Sequence, residues 1–327
     1  MTQHRTAHTP QTPGGLLTFG ETMGLITANT IGTLEHTRDL TFGIGGAESN
    51  TAVGAARLGA PVTWIGRVGS DAAGDLVGRR LRAEGVRTFA VRDTSFTVLM
   101  IRHHRAAGVV HVDYHRTGSA GSRLTPRDIP AEAVQRAAIL HLSGITPALS
   151  ASARQATWHA VTTAKAHNVP VSVDVNYRSK LWDRDTARRE LQRLVAEADI
   201  VFAGVEEAQL VLGSPAETPE DLALGLAAMG PGEAVVKTGS RGCTARIEDA
   251  MYAEPALPVS AVVDTVGAGD AFVAGYLAER LRGADGVQRL RTACAMGAYA
   301  VSVPGDCELL PTRGELETFL AAGDVLR

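Results

Sequence analysis

The sequence predicts an α/β protein with a mostly parallel central sheet, helices on both of its faces, and a small β-sheet lid. Three observations carry this reading. Short β-rich runs alternate with helical runs through most of the 327 residues, and such alternation implies crossover connections and a parallel sheet. Two regions, residues 22–44 and 87–117, break the alternation and show little helical periodicity. Near the C-terminus a glycine-rich turn stands between a strand-like run, "VSAVVDTV", and an apolar helical run, "AFVAGYLAERL".

The elements follow in order. The opening "MTQHRTAHTPQTPGG" is polar, rich in Thr and Pro, and lacks the apolar core of a signal peptide. It is expected to be a disordered tail over residues 1–14, followed by one continuous domain over 15–327. "GLLTFG", "VTWIGRVG", "ILHLSG", "VPVSVDVN", "ADIVFAG" and "EAVVKTG" read as buried strands. Between them "AESNTAVGAARLG", "DAAGDLVGRRLRAEG", "SASARQATWHAVTTAKAHN" and "DTARRELQRLVAEA" read as helices. The β-rich "TFAVRDTSFTVLMIRHH" and "GVVHVDYHR", joined at a hairpin-like "RAAG", place the lid over residues 22–44 and 87–117. His103, His104 and His115 show no metal-ligand spacing and read as lid-surface residues.

Composition removes several function classes. Hydrophobic residues make up 45% and charged residues 20%, as in an ordinary globular protein, and the net charge of -3 offers no basic field to nucleic acid or an anionic membrane. No apolar run is long enough to span a bilayer. Cys243, Cys294 and Cys307 are scattered, without the spacing of a disulfide framework or zinc site. A reducing, cytoplasmic setting is expected. The P-loop, the dinucleotide G-x-G-x-x-G, H-E-x-x-H and G-x-S-x-G are absent.

The stretch "DTVGAGDAF", Asp264 to Phe272, admits two readings. Asp270 can cap the helix that follows, a contribution of about 1 kcal/mol. Alternatively the unpaired amides at the helix start form an anion hole, and Asp270 beside them acts as a general base. Phosphoryl transfer needs that second combination, being mostly positioning and charge stabilisation.

The segment "GIGGAESNTAVGAARLGAPVTWIGRVGSDAAGD", residues 43–75, together with the D-T-x-G-A-G-D pattern at Asp264–Asp270, resembles the two signature regions of the ribokinase-like (PfkB) carbohydrate kinases. The resemblance implies Asp270 as catalytic base and the backbone of Gly267, Ala268 and Gly269 as the anion hole. It implies Gly45, Gly46 and Asn50 as partners of sugar hydroxyls; their alternative reading is a tight turn with a capping residue. "VVKTGSRGC" resembles the family's nucleotide-binding turn, with Lys237, Thr238, Gly239 and Gly242 along ATP, although "TGSRG" also reads as a plain β-turn. "AMGAYAVSVPGD" lies where the family places part of its adenine pocket. In "FAGVEEAQL", Glu207 matches a Glu that acts on magnesium through water, but Gly204 stands where the family carries Asn. Magnesium is expected with ATP. Some relatives bind a monovalent cation near Asp264, which the sequence leaves open.

"DYHRTGSAGSRL", "HLSGITPAL" and "VDVNYRSKLW" resemble segments of the 2-keto-3-deoxygluconate kinases. Tyr114 and Arg116 would come from the lid and Arg178 from beyond a strand end, and a guanidinium fork suits the carboxylate of a sugar acid. Asp174 and Asn176 would orient Arg178 or cap the strand end. The implied reaction is ATP-dependent phosphorylation of the terminal (C6) hydroxyl of 2-keto-3-deoxygluconate. Kinases for fructose, ribose or a related keto-deoxy sugar acid, a non-catalytic sugar- or nucleotide-binding regulator, and a nicotinamide dehydrogenase are the competing readings. The family resemblance also implies a homo-oligomer formed through lid contacts.

Overall fold

The computed structural model describes residues 14–106, 109–214 and 218–325. The expected tail therefore lies, up to residue 13, outside the described residues, as do Ala107 and Gly108 of the expected hairpin. Among the described residues, thirteen strands form two sheets. The large sheet contains β1 (Leu16–Phe19), β4 (Val62–Gly69), β5 (Arg87–Asp93), β8 (Ile139–Ser143), β9 (Val171–Asp174), β10 (Ile200–Gly204), β11 (Glu233–Lys237), β12 (Cys243–Ile247) and β13 (Ala250–Glu254). The small sheet contains β2 (Met23–Ala28), β3 (Leu40–Gly45), β6 (Leu99–Ala106) and β7 (Val109–His115).

The large sheet runs β13-β12-β11-β10-β9-β8-β1-β4-β5, and every pair from β11 to β5 is parallel. Strands β12 and β13 close one edge in antiparallel fashion. The chain builds outward from β1 in both directions, through β4 and β5 on one side and through β8 to β11 on the other. That reversal opens a crevice at the carboxyl ends of the strands near β1 and β8, where open α/β sheets hold their ligands.

The strands are buried and rich in β-branched residues, because helices cover both faces. On one face, the helices Ala47–Arg57, Ala268–Leu281 and Gly286–Val301 share a single core with Trp64, Phe202 and Val235 of the sheet. These helices are lined by small residues and lie close together. A side chain at Gly54 would meet the Ala274 Cβ at 2.8 Å, so Gly54 sets the approach of the first helix to the second. That approach carries Asn50 and Thr51, one turn earlier, to Asp270.

Two local expectations are corrected. Residues 87–93, read as part of the lid, are edge strand β5 of the large sheet, paired in parallel with β4 from Thr63↔Arg87 to Gly69↔Asp93. The small sheet takes only β6 and β7 from that region. The strand-like "VSAVVDTV" is not a strand. Its edge position is already taken by β13, and Val263 and Asp264 instead donate their amides to the Val301 carbonyl at 2.7 and 3.3 Å. No helix among the described residues is long and apolar enough to cross a membrane. The three cysteines are free and buried.

Candidate active site

The site residues sit at the carboxyl ends of β1, β8, β9, β10 and β11, below the small sheet. Gly267 ends the incoming loop with φ +74, and the helix starts at Ala268. Such a φ is open to glycine at little cost, and a side chain here would also collide with the Asp306 carbonyl. Ala268 and Gly269 are the first two helical residues and remain accessible, and amides at these positions have no intrahelical acceptor.

Asp270 is the third residue of this helix and makes no capping bond. The capping alternative is thereby removed. Its carboxylate instead accepts from Asn50 Nδ2 at 2.8 Å and from Asn176 Nδ2 at 3.3 Å. Burial raises the Asp270 pKa to about 7; the nearby Asp174 charge adds to this, while the Asn50 bond, Arg178 and Lys237 oppose it. A carboxylate near neutrality beside free helix-start amides can accept a proton from a hydroxyl at physiological pH.

Asn50 lies inside the helix Ala47–Arg57 and is neither a cap nor a turn residue. Asn176 holds a left-handed backbone, φ +39, just past β9. Asp174 does not orient Arg178, and Asn176 turns to Asp270. Asp174 takes Lys237 Nζ on both oxygens, each at 2.9 Å. Burial opposes the charge on Lys237, but Asp174 and Glu207 outweigh it and raise its pKa. The ammonium lies beside the glycine turn, 3.5 Å from where a Gly269 Cβ would be. His141, buried behind it and bonded to Ser172 Oγ at 3.1 Å, has its pKa lowered to about 3 by burial and by Lys237. It is neutral.

Thr238, Gly239 and Gly242 form the turn joining β11 to β12. Thr238 N and Oγ1 both donate to the Gly242 carbonyl, at 2.8 and 2.9 Å. The plain-turn description is correct for the backbone, and the turn adjoins Lys237 at the crevice. Glu207 accepts from Tyr177 N at 2.9 Å and Gly204 N at 2.7 Å, one bond to each carboxylate oxygen. This holds the carboxylate in one orientation and leaves each oxygen a further lone pair, which fits a water-mediated contact to magnesium. Among the described residues no group of three or more His, Cys, Asp or Glu is placed to hold a metal ion directly.

Toward the small sheet, Gly46 has φ +157 at the start of the Asn50 helix, and Gly45 ends β3. Arg116 is not free: its Nε pairs with Glu21 Oε2 at 2.7 Å, and its guanidinium covers the Tyr114 ring at 4.7 Å. Glu21 is raised to about 7 by burial, against the pull of Arg116, with Glu48 raising it further. Glu48 is buried too and accepts from Ser143 and Thr146 at 2.6 and 2.7 Å. Arg178 is exposed, forms no ion pair among the described residues, and donates only to the Tyr177 carbonyl at 3.3 Å. Lys180, near it, reaches the Tyr114 ring at 5.8 Å. His103 is buried and stacks on His111 at 5.4 Å, contrary to the surface reading, whereas His115 is exposed.

The family model for pfkB family carbohydrate kinases matches residues 15–313. The chain belongs to this family of kinases. It is 36% identical over 310 residues to a 2-dehydro-3-deoxygluconokinase of Bacillus subtilis, covering 94% of this chain and 95% of that protein. It is 34% identical over 312 residues to a 2-dehydro-3-deoxygalactonokinase of Haloferax volcanii, covering 94% and 97%. A crystal structure of a candidate Ribokinase II from E. coli, in complex with ATP and Mg2+, superposes with a TM-score of 0.87 at 28% identity, covering 94% of this chain and 99% of that one. The ribokinase-like fold and the carbohydrate kinase class follow. Sequence reasoning missed Glu21, Glu48, Arg102 and Asp306 in this site; each is a buried charge whose partners are distant in sequence.

The Gly267→Ala variant is expected to lose about 2 kcal/mol of stability from the left-handed backbone alone. Its kcat should fall well below wild type, because the Asp306 collision displaces the turn. Urea unfolding with steady-state kinetics checks this; unchanged stability and turnover would contradict the geometry.

Proposed function

We propose that the protein transfers the γ-phosphoryl group of ATP to the C6 hydroxyl of 2-keto-3-deoxygluconate, giving 2-keto-3-deoxy-6-phosphogluconate and ADP. The observation that carries this is Asp270, held by Asn50 and Asn176 beside the helix-start amides, with Arg178 close enough to act on its charge. The names of the B. subtilis and H. volcanii relatives support the choice of a keto-deoxy sugar acid.

In this reading Gly45, Gly46 and Asn50 hold sugar hydroxyls. Tyr114 covers the sugar, and the carboxylate lies near Arg116 and Arg178. Asp270 takes the proton of the C6 hydroxyl as its oxygen bonds to the γ-phosphorus, and the bond from that phosphorus to the ADP oxygen breaks. Amides of Gly267, Ala268 and Gly269 receive the charge of the moving phosphoryl oxygens. Lys237, Thr238, Gly239 and Gly242 line the nucleotide side. Magnesium, when bound with the nucleotide, screens phosphate charge, with Glu207 in reach through water. The small sheet acts as the lid and excludes water as a competing acceptor.

A second reading, a kinase for a neutral sugar, is favoured by one feature. Arg116 is already paired with Glu21, so the demand for a substrate carboxylate rests mainly on Arg178. A homo-oligomer through the small sheet belongs to the same proposal, supported by the exposed apolar Leu40, Phe42 and Val110 on its strands.

Asp270→Asn should fold as wild type and lose about 10³-fold in kcat. For the wild type, kcat/KM should climb as pH rises through about 7, where the free base loses its proton, and flatten above. A flat profile from about pH 5 to 8, or an active Asn variant, contradicts a base at this position. Substrate-dependent ADP release across 2-keto-3-deoxygluconate, its C4 epimer, fructose and ribose tests the acceptor. Arg178→Ala should raise KM for the sugar acid by at least about tenfold more than for a neutral sugar; equal effects would favour the neutral-sugar reading. Sedimentation velocity should show a species larger than one chain that Phe42→Asp reduces to a monomer. A monomeric wild type would remove the oligomer.

A further inference from the structure

A buried arginine joins the small sheet to the glycine turn. Arg102 projects from β6 and is 2% exposed, and its two partners, Asp264 and Asp306, are 8% and 5% exposed. Arg102 Nη1 lies 3.0 Å from Asp306 Oδ1 and 3.1 Å from Asp264 Oδ2. These carboxylates stand on either side of the turn. Asp264 opens the incoming loop and accepts from Val266 N at 3.1 Å. Asp306 comes from the loop after the helix Gly286–Val301, and its carbonyl fills the space beside Gly267.

Asp306 also reaches the sugar side. Its Oδ2 occupies the space where a Gly45 side chain would project. Glu308 fixes the loop, taking the amides of Asp306 and Cys307 at 3.0 and 3.1 Å on one oxygen and Ile44 N at 3.3 Å on the other. Two buried acidic groups, Asp264 and Asp306, thus lie together with the half-buried Glu308 beside them, and Asp270 is near enough to add to their repulsion. Buried carboxylates require a compensating cation. Arg102 supplies one, on the acidic residue where relatives of this family can carry a monovalent ion. The residues here do not fit a second, bound cation, because the guanidinium charge already sits on Asp264 Oδ2 and Asp306 Oδ1, and Val266 N takes the remaining Asp264 oxygen.

We propose that Arg102 is the resident cation of the glycine-turn loop: it takes the place of a bound monovalent ion, positions the turn beside Asp270, and makes turnover independent of potassium. Arg102 is a positioning residue, since it touches the loops that carry the anion hole and not the reacting atoms. The inference rests on the kinase activity for its kinetic arm only.

The test compares salts at equal ionic strength, with choline chloride or potassium chloride as the only added monovalent salt. Wild-type kcat should agree in the two within about twofold, whereas Arg102→Ala in choline should lose about tenfold or more in kcat. Potassium or guanidinium ion should restore part of that loss in Arg102→Ala, and Arg102→Lys should keep most of the wild-type kcat. Rescue by a small cation separates positioning by charge from a merely structural loss. The substrate-free thermal midpoint gives a second readout: Arg102→Ala should gain a potassium-specific rise that wild type lacks. Potassium activation of the wild type, a potassium-specific midpoint rise in it, or an Arg102→Ala variant fully active in choline would overturn the proposal. If Arg102→Ala does not fold, the wild-type salt comparison and Arg102→Lys still decide. If no acceptor is phosphorylated, the thermal comparison still reads the cation site, so failure of the kinase reading is seen separately.

Discussion

The crevice depends on keeping one carboxylate largely out of water without giving it a permanent counter-ion. Asp270 has no direct ion pair among the described residues. Two side-chain amides, Asn50 and Asn176, donate to it instead. A neutral donor steadies the charged form less than a guanidinium would, so burial dominates and the pKa stays near 7. The Asp270 oxygens are acceptors when ionised, which fixes the amides with nitrogen inward. Their carbonyl oxygens, buried and without protein partners, face other neighbours. Unmet acceptors at such depth are costly unless a hydroxyl or water donates to them. A polyhydroxylated ligand provides such donors.

Charge beneath the glycine turn is rationed in a related way. Lys237 is the cation nearest Gly269, and Asp174 grips it on both oxygens. Without that grip, burial would push the amine toward neutrality, and the turn would lose its fixed positive neighbour. His141 is kept neutral first by burial and then by the nearby Lys237 charge, so it adds no second charge. The result is one held ammonium beside a set of helix-start amides, a combination suited to an anion of changing charge.

Much of this was legible in the sequence where the signal is local. The buried strands of the parallel sheet and the flanking helices follow from short-range periodicity. The glycine turn followed by Asp270 is contiguous, and its resemblance to a family motif extends over adjacent residues. The failures share another cause. "TFAVRDTSFTVLMIRHH" is uniformly β-rich, and only long-range pairing divides it, β5 with β4 and β6 with β2. "VSAVVDTV" has strand propensity but no free edge to join, so tertiary context overrides it. Asp174 and Asn176 share a face by their spacing of two, yet nothing local tells that one turns to Lys237 and the other to Asp270. Arg102, Glu21 and Asp306 carry no motif, and their meaning lies wholly in partners brought together by the fold.

Those partners explain why the small sheet does not behave as an independent cover. Its own apolar core is modest: Met23, Leu25, Val98 and Met100, with Val112 against them. Four strands with so little apolar burial need the main body to hold their orientation. Two arginines do this, Arg102 on β6 to Asp264 and Asp306, and Arg116 beyond β7 to Glu21. Buried ion pairs contribute little net stability, since desolvation offsets most of the attraction, but a misplaced one is strongly penalised. Breaking either anchor leaves an uncompensated buried carboxylate, which favours the docking position in which both are made. The two anchors end at different places in the crevice, Arg102 at the loops around the glycine turn and Arg116 at Glu21 just beyond β1. A displacement of the small sheet that broke either anchor would leave Asp264 and Asp306, or Glu21, buried without its arginine.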